Sequence, residues 1–329
     1  MGDGEVLVTW PDYDVDGAST GGRLRAAGLR ARVEPKTGAR APRDVARLAA
    51  GAVGAIVSTD PFDESVFAAA PKLRVVARVG VGTDSIDLDA ATAAGTVVTV
   101  TPGANQETAA DHTIALMLAA VRRIVEHDAS VRRGEWSRTG TLTPWELHGA
   151  TVGIVGLGTI GKAVRRRLAG FGVEVLVSDP AVEASDGYSV VGLGELLRRS
   201  HVVTLHLPLD DRTRGLIGAA ELAAMGPDAV LVNTARGGLV DEVALAGALD
   251  RGEIRAVALD VFEDEPTISP ALLERANVTF TPHIGGLSDR SIARMTAQAT
   301  ASLLDVLAGR HERATIANPA VLESLRAAR

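Results

Sequence analysis

Residues 151–180, TVGIVGLGTIGKAVRRRLAGFGVEVLVSDP, read in succession as a strand, a tight turn, a helix and a second strand. Gly156, Gly158 and Gly161 stand as G-x-G-x-x-G directly after an apolar run, with Thr159 and Ile160 opening the helix. The first glycine makes the turn, the second lets backbone approach a pyrophosphate, and the third lets helix pack close on strand. The helix N-terminus adds free N–H groups and the positive end of a dipole. The second strand then delivers Asp179, eighteen residues beyond Gly161. A carboxylate there can accept hydrogen bonds from both ribose hydroxyls and would repel a 2′-phosphate. No Arg or Lys lies between Asp179 and Val191. A bare glycine triplet can mark any tight strand–helix turn. Strand, helix, second strand and terminal acid in register predict a dinucleotide site, with NAD(H) favoured over NADP(H).

The same alternation extends in both directions. EVLVTW, GAIVS, LRVVARV and TVVTV read as strands in the first hundred residues, with DVARLAAG and DESVFAAA as helices between them. Beyond the glycine turn, HVVTLHL, DAVLVNTA, IRAVALDVF and NVTFTPH continue the strands. Strands alternating with helices imply parallel sheets covered on both faces, so the expected fold class is α/β with two doubly wound, Rossmann-like domains. Pro102 and Gly103 stop a strand, and a long helix begins near Gln106. After TPHIGG a second long helical stretch, SDRSIARMTAQATASLLDVLAG, could return the chain to the first domain.

Composition narrows the function classes. A chain of 329 residues has room for about two domains. Apolar residues make up 46%, enough to fill packed cores, while 3% aromatics and a net charge of −7 argue against stacking or embracing nucleic acid. Without cysteine there are no disulfides, thiolate nucleophiles or cysteine-ligated metals. No signal peptide is visible, and IALMLAAV (114–121) is too short to span a bilayer, so a cytoplasmic protein with no membrane partner is expected. DVFEDE clusters carboxylates without companion ligands, so no metal is expected.

Three strand ends carry conspicuous polar groups: Arg236 after VLVNTA, Asp260 and Glu265 after AVAL, and His283 after VTFTP. In doubly wound sheets, ligands collect outside the carboxyl ends of the strands. An arginine fork matches a carboxylate, and a histidine titrates near neutrality with its protonated form favoured by a neighbouring acid. Singly, each has an ordinary reading as a surface charge, a loop start or a turn residue. Together they could bind a 2-oxo acid and deliver a proton to its carbonyl oxygen.

These blocks carry a resemblance. RVGVGTDSID (78–87), TPGANQETAADHTIALML (101–118), GIVGLGTIG (153–161), LHLPL (205–209), NTARGGLVDE (233–242), ALDVFEDEP (258–266) and TPHIGG (281–286) together resemble the NAD-dependent D-2-hydroxyacid dehydrogenase family, in particular its phosphoglycerate dehydrogenase-like branch. The resemblance covers roughly residues 50 to 320 and implies two domains separated by a cleft. Residues 1–102 plus 291–329 would be a discontinuous substrate-binding domain, and 103–290 the NAD-binding domain, through which homodimers form. Arg236 would hold the substrate carboxylate and carbonyl, His283 would be the acid/base, and Glu265 would pair with it. Asp260 would contact the nicotinamide carboxamide. Val81 and Gly82 would grip the substrate carboxylate, and Asn105 and Gln106 would line the site near substrate and cofactor. His206 and Pro208 would border the adenosine, with Thr234 and Ala235 also at the cofactor. Arg78 could meet a second anionic group, as in substrates of the 3-phosphoglycerate, hydroxypyruvate or phosphonopyruvate type, or could be a structural charge. The chain is expected to lack a C-terminal regulatory domain. The alternative from another class is an NAD(H)-sensing scaffold or corepressor without turnover. His112 reads as a packed polar contact, and Trp136 and Trp145 as loop residues packed on the nucleotide domain.

Overall fold

Uninterrupted apolar runs become the strands of two all-parallel sheets in the computed structural model, which describes residues 4–136, 138, 140 and 143–327. The chain divides into two compact units, Met1–Asn105 with Ser288–Arg329, and Gln106–Leu287. The first unit holds β1 (Gly4–Val8), β2 (Leu29–Val33), β3 (Gly54–Val57), β4 (Val75–Arg78) and β5 (Val97–Thr99), in the order β2-β1-β3-β4-β5. The second holds β6 (Thr151–Val155), β7 (Glu174–Ser178), β8 (Ser189–Val190), β9 (Val202–Leu205), β10 (Val230–Asn233), β11 (Ala256–Leu259) and β12 (Val278–Phe280). Their order is β12-β11-β10-β9-β6-β7-β8, so the direction of winding reverses between β6 and β9.

Both faces of each sheet are covered, and successive strand residues serve opposite faces. In the second unit Val203, Leu231 and Val257 pack with Leu196, Leu222 and Leu245 from helices on one side. Their neighbours Val202, Val230 and Ala256 pack with Ile114 and Met117 of the helix Gln106–Val121 on the other. In the first unit β1 divides likewise, Val6 and Val8 to one core and Leu7 to the other. The helix Asp289–Leu307 starts at Ser288, whose hydroxyl accepts the Ser291 N–H at 3.2 Å as an N-cap. It buries Met295, Ala299, Leu303 and Val306 against β1, β3 and β4, which makes it part of the first unit.

Two strands and several short helices are not picked out in the sequence reading. β2, with the sequence LRARV, is an edge strand whose two arginines interrupt the apolar signal, and β8 is only two residues long. The helices Gly21–Ala26 and Leu88–Ala93 have six residues each, too few to display a period. Trp136 is corrected: it is 79% exposed rather than packed, whereas Trp145 packs beside the core with its ring 6.4 Å from that of His201.

Candidate active site

The glycine turn sits where the winding reverses, after β6 and against the end of β9. Gly156 has φ +89°, and a Cβ there would lie 2.5 Å from the His206 carbonyl oxygen. A Cβ on Gly161 would lie 2.3 Å from the Gly156 carbonyl oxygen. Both positions therefore exclude side chains for want of space. Gly158 differs: a Cβ there meets nothing within 4 Å, so the middle glycine fronts open space. Gly158 is also the N-cap of the helix Thr159–Leu168 and supplies no side-chain cap, which leaves the leading N–H groups of Thr159, Ile160 and Gly161 to backbone or ligand partners. Asp179 follows β7 and is tied to this turn. Its Oδ2 accepts the Leu157 N–H at 2.8 Å and its Oδ1 the Ala181 N–H at 2.9 Å. A backbone cradle open at the middle glycine, with a fixed carboxylate beside it, fits an NAD pyrophosphate and adenosine ribose. Gln106 has a buried Oε1 without a hydrogen-bond partner among the described residues, an acceptor suited to a hydroxyl or amide donor.

His206 follows β9 and donates its N–H to Val155 O at 2.7 Å. Its Nε2 lies 2.9 Å from Thr204 Oγ1, and burial pushes the imidazole pKa down to about 3, so the ring is neutral at ordinary pH. Pro208, two residues on, is exposed and accepts the Thr213 hydroxyl at its carbonyl. Thr234, after β10, shares a 2.8 Å hydroxyl–hydroxyl bond with Thr113, and the Ala235 N–H is held by Asn233 Oδ1 at 3.1 Å.

The loops after β10, β11 and β12 form a connected set. Asn233 Nδ2 donates to Arg236 O at 2.8 Å, and the Arg236 Nη1 turns back to Ala235 O at 2.6 Å. A Cβ on the next residue, Gly237, would stand 1.9 Å from the carbonyl carbon of Phe262. Only glycine lets the arginine loop lie against the loop after β11. That second loop then curls so that Glu265 Oε1 accepts the Phe262 N–H at 3.0 Å. Its other oxygen, Oε2, meets His283 Nδ1 at 2.6 Å. His283 has φ +54°, a left-handed conformation that is uncommon outside glycine. Its N–H is held by Asp260 O at 2.8 Å. The three residues singled out from the sequence thus stand on adjoining loops, with the histidine partnered at Nδ1 by a carboxylate.

Asp260 is the buried member of this group. Its side chain is 1% exposed, and its oxygens accept from the Thr281 hydroxyl at 2.6 Å, the Ile284 N–H at 2.9 Å and the Gly285 N–H at 2.8 Å. His112 Nε2, from the helix Gln106–Val121, stands 3.3 Å from Asp260 Oδ1 and 2.9 Å from the Thr281 hydroxyl. Burial acts to raise the Asp260 pKa, but the bonds from His112, Thr281 and the two amides outweigh it and hold the carboxyl below its usual value. Asp260 is therefore engaged in anchoring the His283 turn. Sequence reasoning set His112 aside and did not consider Thr281. A histidine six residues after Gln106 carries no local sign of a partner 148 residues away.

In the first unit, Arg78 ends β4, and its Nη1 donates to Val79 O at 2.6 Å. The guanidinium lies over Gly80, where a Cβ would come within 1.2 Å of it. The Gly80 N–H is held by Thr101 Oγ1 at 2.9 Å, and Val81 beyond is half exposed, leading into Gly82. Asn105 closes this unit, next to Ala104, whose carbonyl accepts the Arg294 Nε at 2.9 Å. Among the described residues no group of three or more His, Asp or Glu could hold a metal, and no helix is long and apolar enough to cross a membrane.

Known proteins resemble this chain in sequence and fold. Residues 114–285 match the family described as D-isomer specific 2-hydroxyacid dehydrogenase, NAD binding domain. D-3-phosphoglycerate dehydrogenase from Mycobacterium leprae is 44% identical over 256 residues, covering 77% of this chain and 48% of that protein. The chain thus spans about half the length of that relative. Glyoxylate reductase from Korarchaeum cryptofilum is 44% identical over 255 residues, covering 75% of this chain and 76% of that protein. Among solved structures, an NADPH-dependent glyoxylate/hydroxypyruvate reductase from Sinorhizobium meliloti superposes with a TM-score of 0.82 at 31% identity, over 96% of this chain and 99% of that one.

Proposed function

Because this chain belongs to the D-isomer specific 2-hydroxyacid dehydrogenase family, we propose that it interconverts a small 2-oxo acid and its D-2-hydroxy acid with NAD(H). The observation that carries this reading is the 2.6 Å contact between His283 Nδ1 and Glu265 Oε2, on loops that Gly237 ties to Arg236. When bound, the nicotinamide supplies the hydride to C2 of the oxo acid, or accepts it in the reverse direction. Glu265 fixes the imidazole through Nδ1, which leaves Nε2 to give a proton to the carbonyl oxygen in reduction and to take the hydroxyl proton in oxidation. Arg236 binds the carboxylate and carbonyl with its fork and offsets the charge that grows on oxygen. Asp260, with Thr281 and His112, keeps the His283 turn in place.

The second unit is the NAD-binding domain in this proposal, and the first unit, with Arg78, Val81, Gly82 and Asn105, contributes substrate contacts. Gly156, Gly158, Thr159, Ile160 and Gly161 take the pyrophosphate, and Asp179 takes the ribose hydroxyls. That carboxylate disfavours a 2′-phosphate by charge. His206, Pro208, Thr234, Ala235 and Gln106 complete the cofactor contacts. Relatives named for phosphoglycerate and for glyoxylate support a small 2-oxo acid as substrate, and Arg78 is our candidate for meeting a second anionic group. A homodimer completes the proposal, supported by a row of exposed apolar side chains, Ile124, Val125, Val131 and Trp136, in and just after the helix Ile124–Arg132.

The test is NADH oxidation by the purified protein with pyruvate, glyoxylate, hydroxypyruvate, 3-phosphohydroxypyruvate and phosphonopyruvate, with NADPH in parallel. Turnover is expected with NADH ahead of NADPH, and a preference for the doubly anionic acids would give Arg78 its role. Tight NADH binding without turnover of any 2-oxo acid would overturn the proposal.

A further inference from the structure

The amino-terminal edge of the first unit's sheet holds a cavity of about 540 Å³. Its floor is apolar: Leu29 at the start of β2, Val53 just before β3, and Leu304 and Leu307 from the last turns of the helix Asp289–Leu307. Its other charged lining residues are all arginines, Arg23, Arg74 and Arg310, and no carboxylate lines it among the described residues. Arg310 is held by Asp305, with Nε 3.0 Å from Oδ1. Arg23 and Arg74 make no side-chain hydrogen bond or ion pair with any described residue. Because the strands are parallel, this edge lies at the opposite end of the sheet from Arg78 and Val81, which follow the carboxyl end of β4.

We propose that this cavity is a binding site for an amphipathic anion, an apolar chain or ring ending in a single carboxylate or phosphate. Its volume is within the roughly 300–1,000 Å³ typical of small-molecule sites, and an apolar floor with convergent polar groups is their usual lining. Arg310 is balanced by Asp305, but Arg23 and Arg74 carry two like charges with no carboxylate partner at the rim, and an anionic head group would pair with both. A neutral apolar molecule would leave the arginines unanswered, and a small anion such as acetate would leave the floor wet. The site is independent of the proposed dehydrogenase reaction, and either can fail without the other.

The experiment is calorimetric titration of the whole protein with decanoate and decyl phosphate, with decanol and acetate as controls. Saturable binding of one anion per chain is expected, with decanol and acetate each at least about tenfold weaker. Binding by decanoate alone or by decyl phosphate alone also supports the site and identifies the head group. Two variants locate it: the R23Q/R74Q pair should weaken the anion by about tenfold or more, and A308W should abolish binding by filling the space. The thermal midpoint of each variant reports folding, and neither change touches the proposed reaction. Three results overturn the proposal: no saturable anion binding, decanol binding as tightly as decanoate, or anion binding unchanged in whichever variant folds. Self-association lost in A308W, with no anion bound by the parent, would also overturn it and mark the face as covered by protein.

Discussion

The glycine turn after β6 and the histidine turn after β12 stand at the carboxyl edge of one sheet, yet they are built by opposite means. The glycine turn is determined by backbone, its own and that at the end of the adjacent strand β9. Gly156 must hold φ +89° beside His206 O, and Gly161 must clear Gly156 O, so two missing side chains make the turn. The histidine turn is held by side chains gathered from far along the chain. Asp260 ties down Thr281, Ile284 and Gly285, His112 reaches in from another helix, and Glu265 takes Nδ1. A site that grips a phosphate group needs N–H groups on a tight backbone, whereas a site that moves a proton needs one ring held at a fixed angle. The first can be specified by a short motif, and the second requires a network.

That contrast can be broken by substitution. Replacing Gly161 with Val puts a branched side chain where even a Cβ would lie 2.3 Å from Gly156 O. NADH affinity, measured by fluorescence titration, should fall by on the order of a hundredfold, an effect of about 3 kcal/mol, with protein stability also reduced. Retained affinity would show that the turn adapts and is not fixed by its backbone. On the other side of the comparison, His112→Leu removes one support of the histidine turn without touching the reacting atoms. Turnover should drop by about tenfold while NADH affinity stays constant, and His112→Gln, which can still donate to Asp260 and Thr281, should recover most of it. Equal losses in both variants would make His112 a packing residue only.

The smallest effect concerns pH and stability alone. The His206 pKa is about 3 in the folded chain and near 6.5 when unfolded. Between those values the unfolded state binds the extra proton, so stability is full above about 6.5 and declines as pH falls toward 3. The loss is at most a few kcal/mol. Asp260 acts in a lower window: its folded pKa is depressed, so its contribution is present above its ordinary carboxylate value and disappears as pH falls further. Denaturant midpoints measured from pH 7 to pH 4 should therefore decline, and His206→Gln should flatten that decline. A parallel decline in both proteins would remove His206 from the explanation.

What could be read from the sequence follows the same division. The buried strands announced themselves because sheets covered on both faces need continuous apolar runs, as in VLVN of β10 and AVAL of β11. β2 did not, since its arginines lie at an edge where Arg30 and Arg32 pair with Glu5. Gly156, Gly158, Gly161 and Asp179 were legible because one local unit holds them all. Arg236, Glu265 and His283 were legible as strand-end residues, but their mutual contacts were not. Gly237 shows why: its requirement comes from Phe262, whose approach only the folded sheet creates. Asp260 was legible as a strand-end acid, but its four partners within its own unit were not. Nothing in the order of residues reveals that an acid will also anchor the turn it precedes.

The measurement that most directly tests the central claim is single-turnover NADH oxidation by His283→Asn alongside NADH affinity for the same protein. Asparagine tolerates the left-handed φ of +54° found at this position, so the turn should persist while the proton donor is lost. The account predicts a chemical step slower by about 10² to 10⁴, with NADH binding unchanged. A step within a few-fold of the parent, with the turn intact, would contradict it and remove His283 from the reaction.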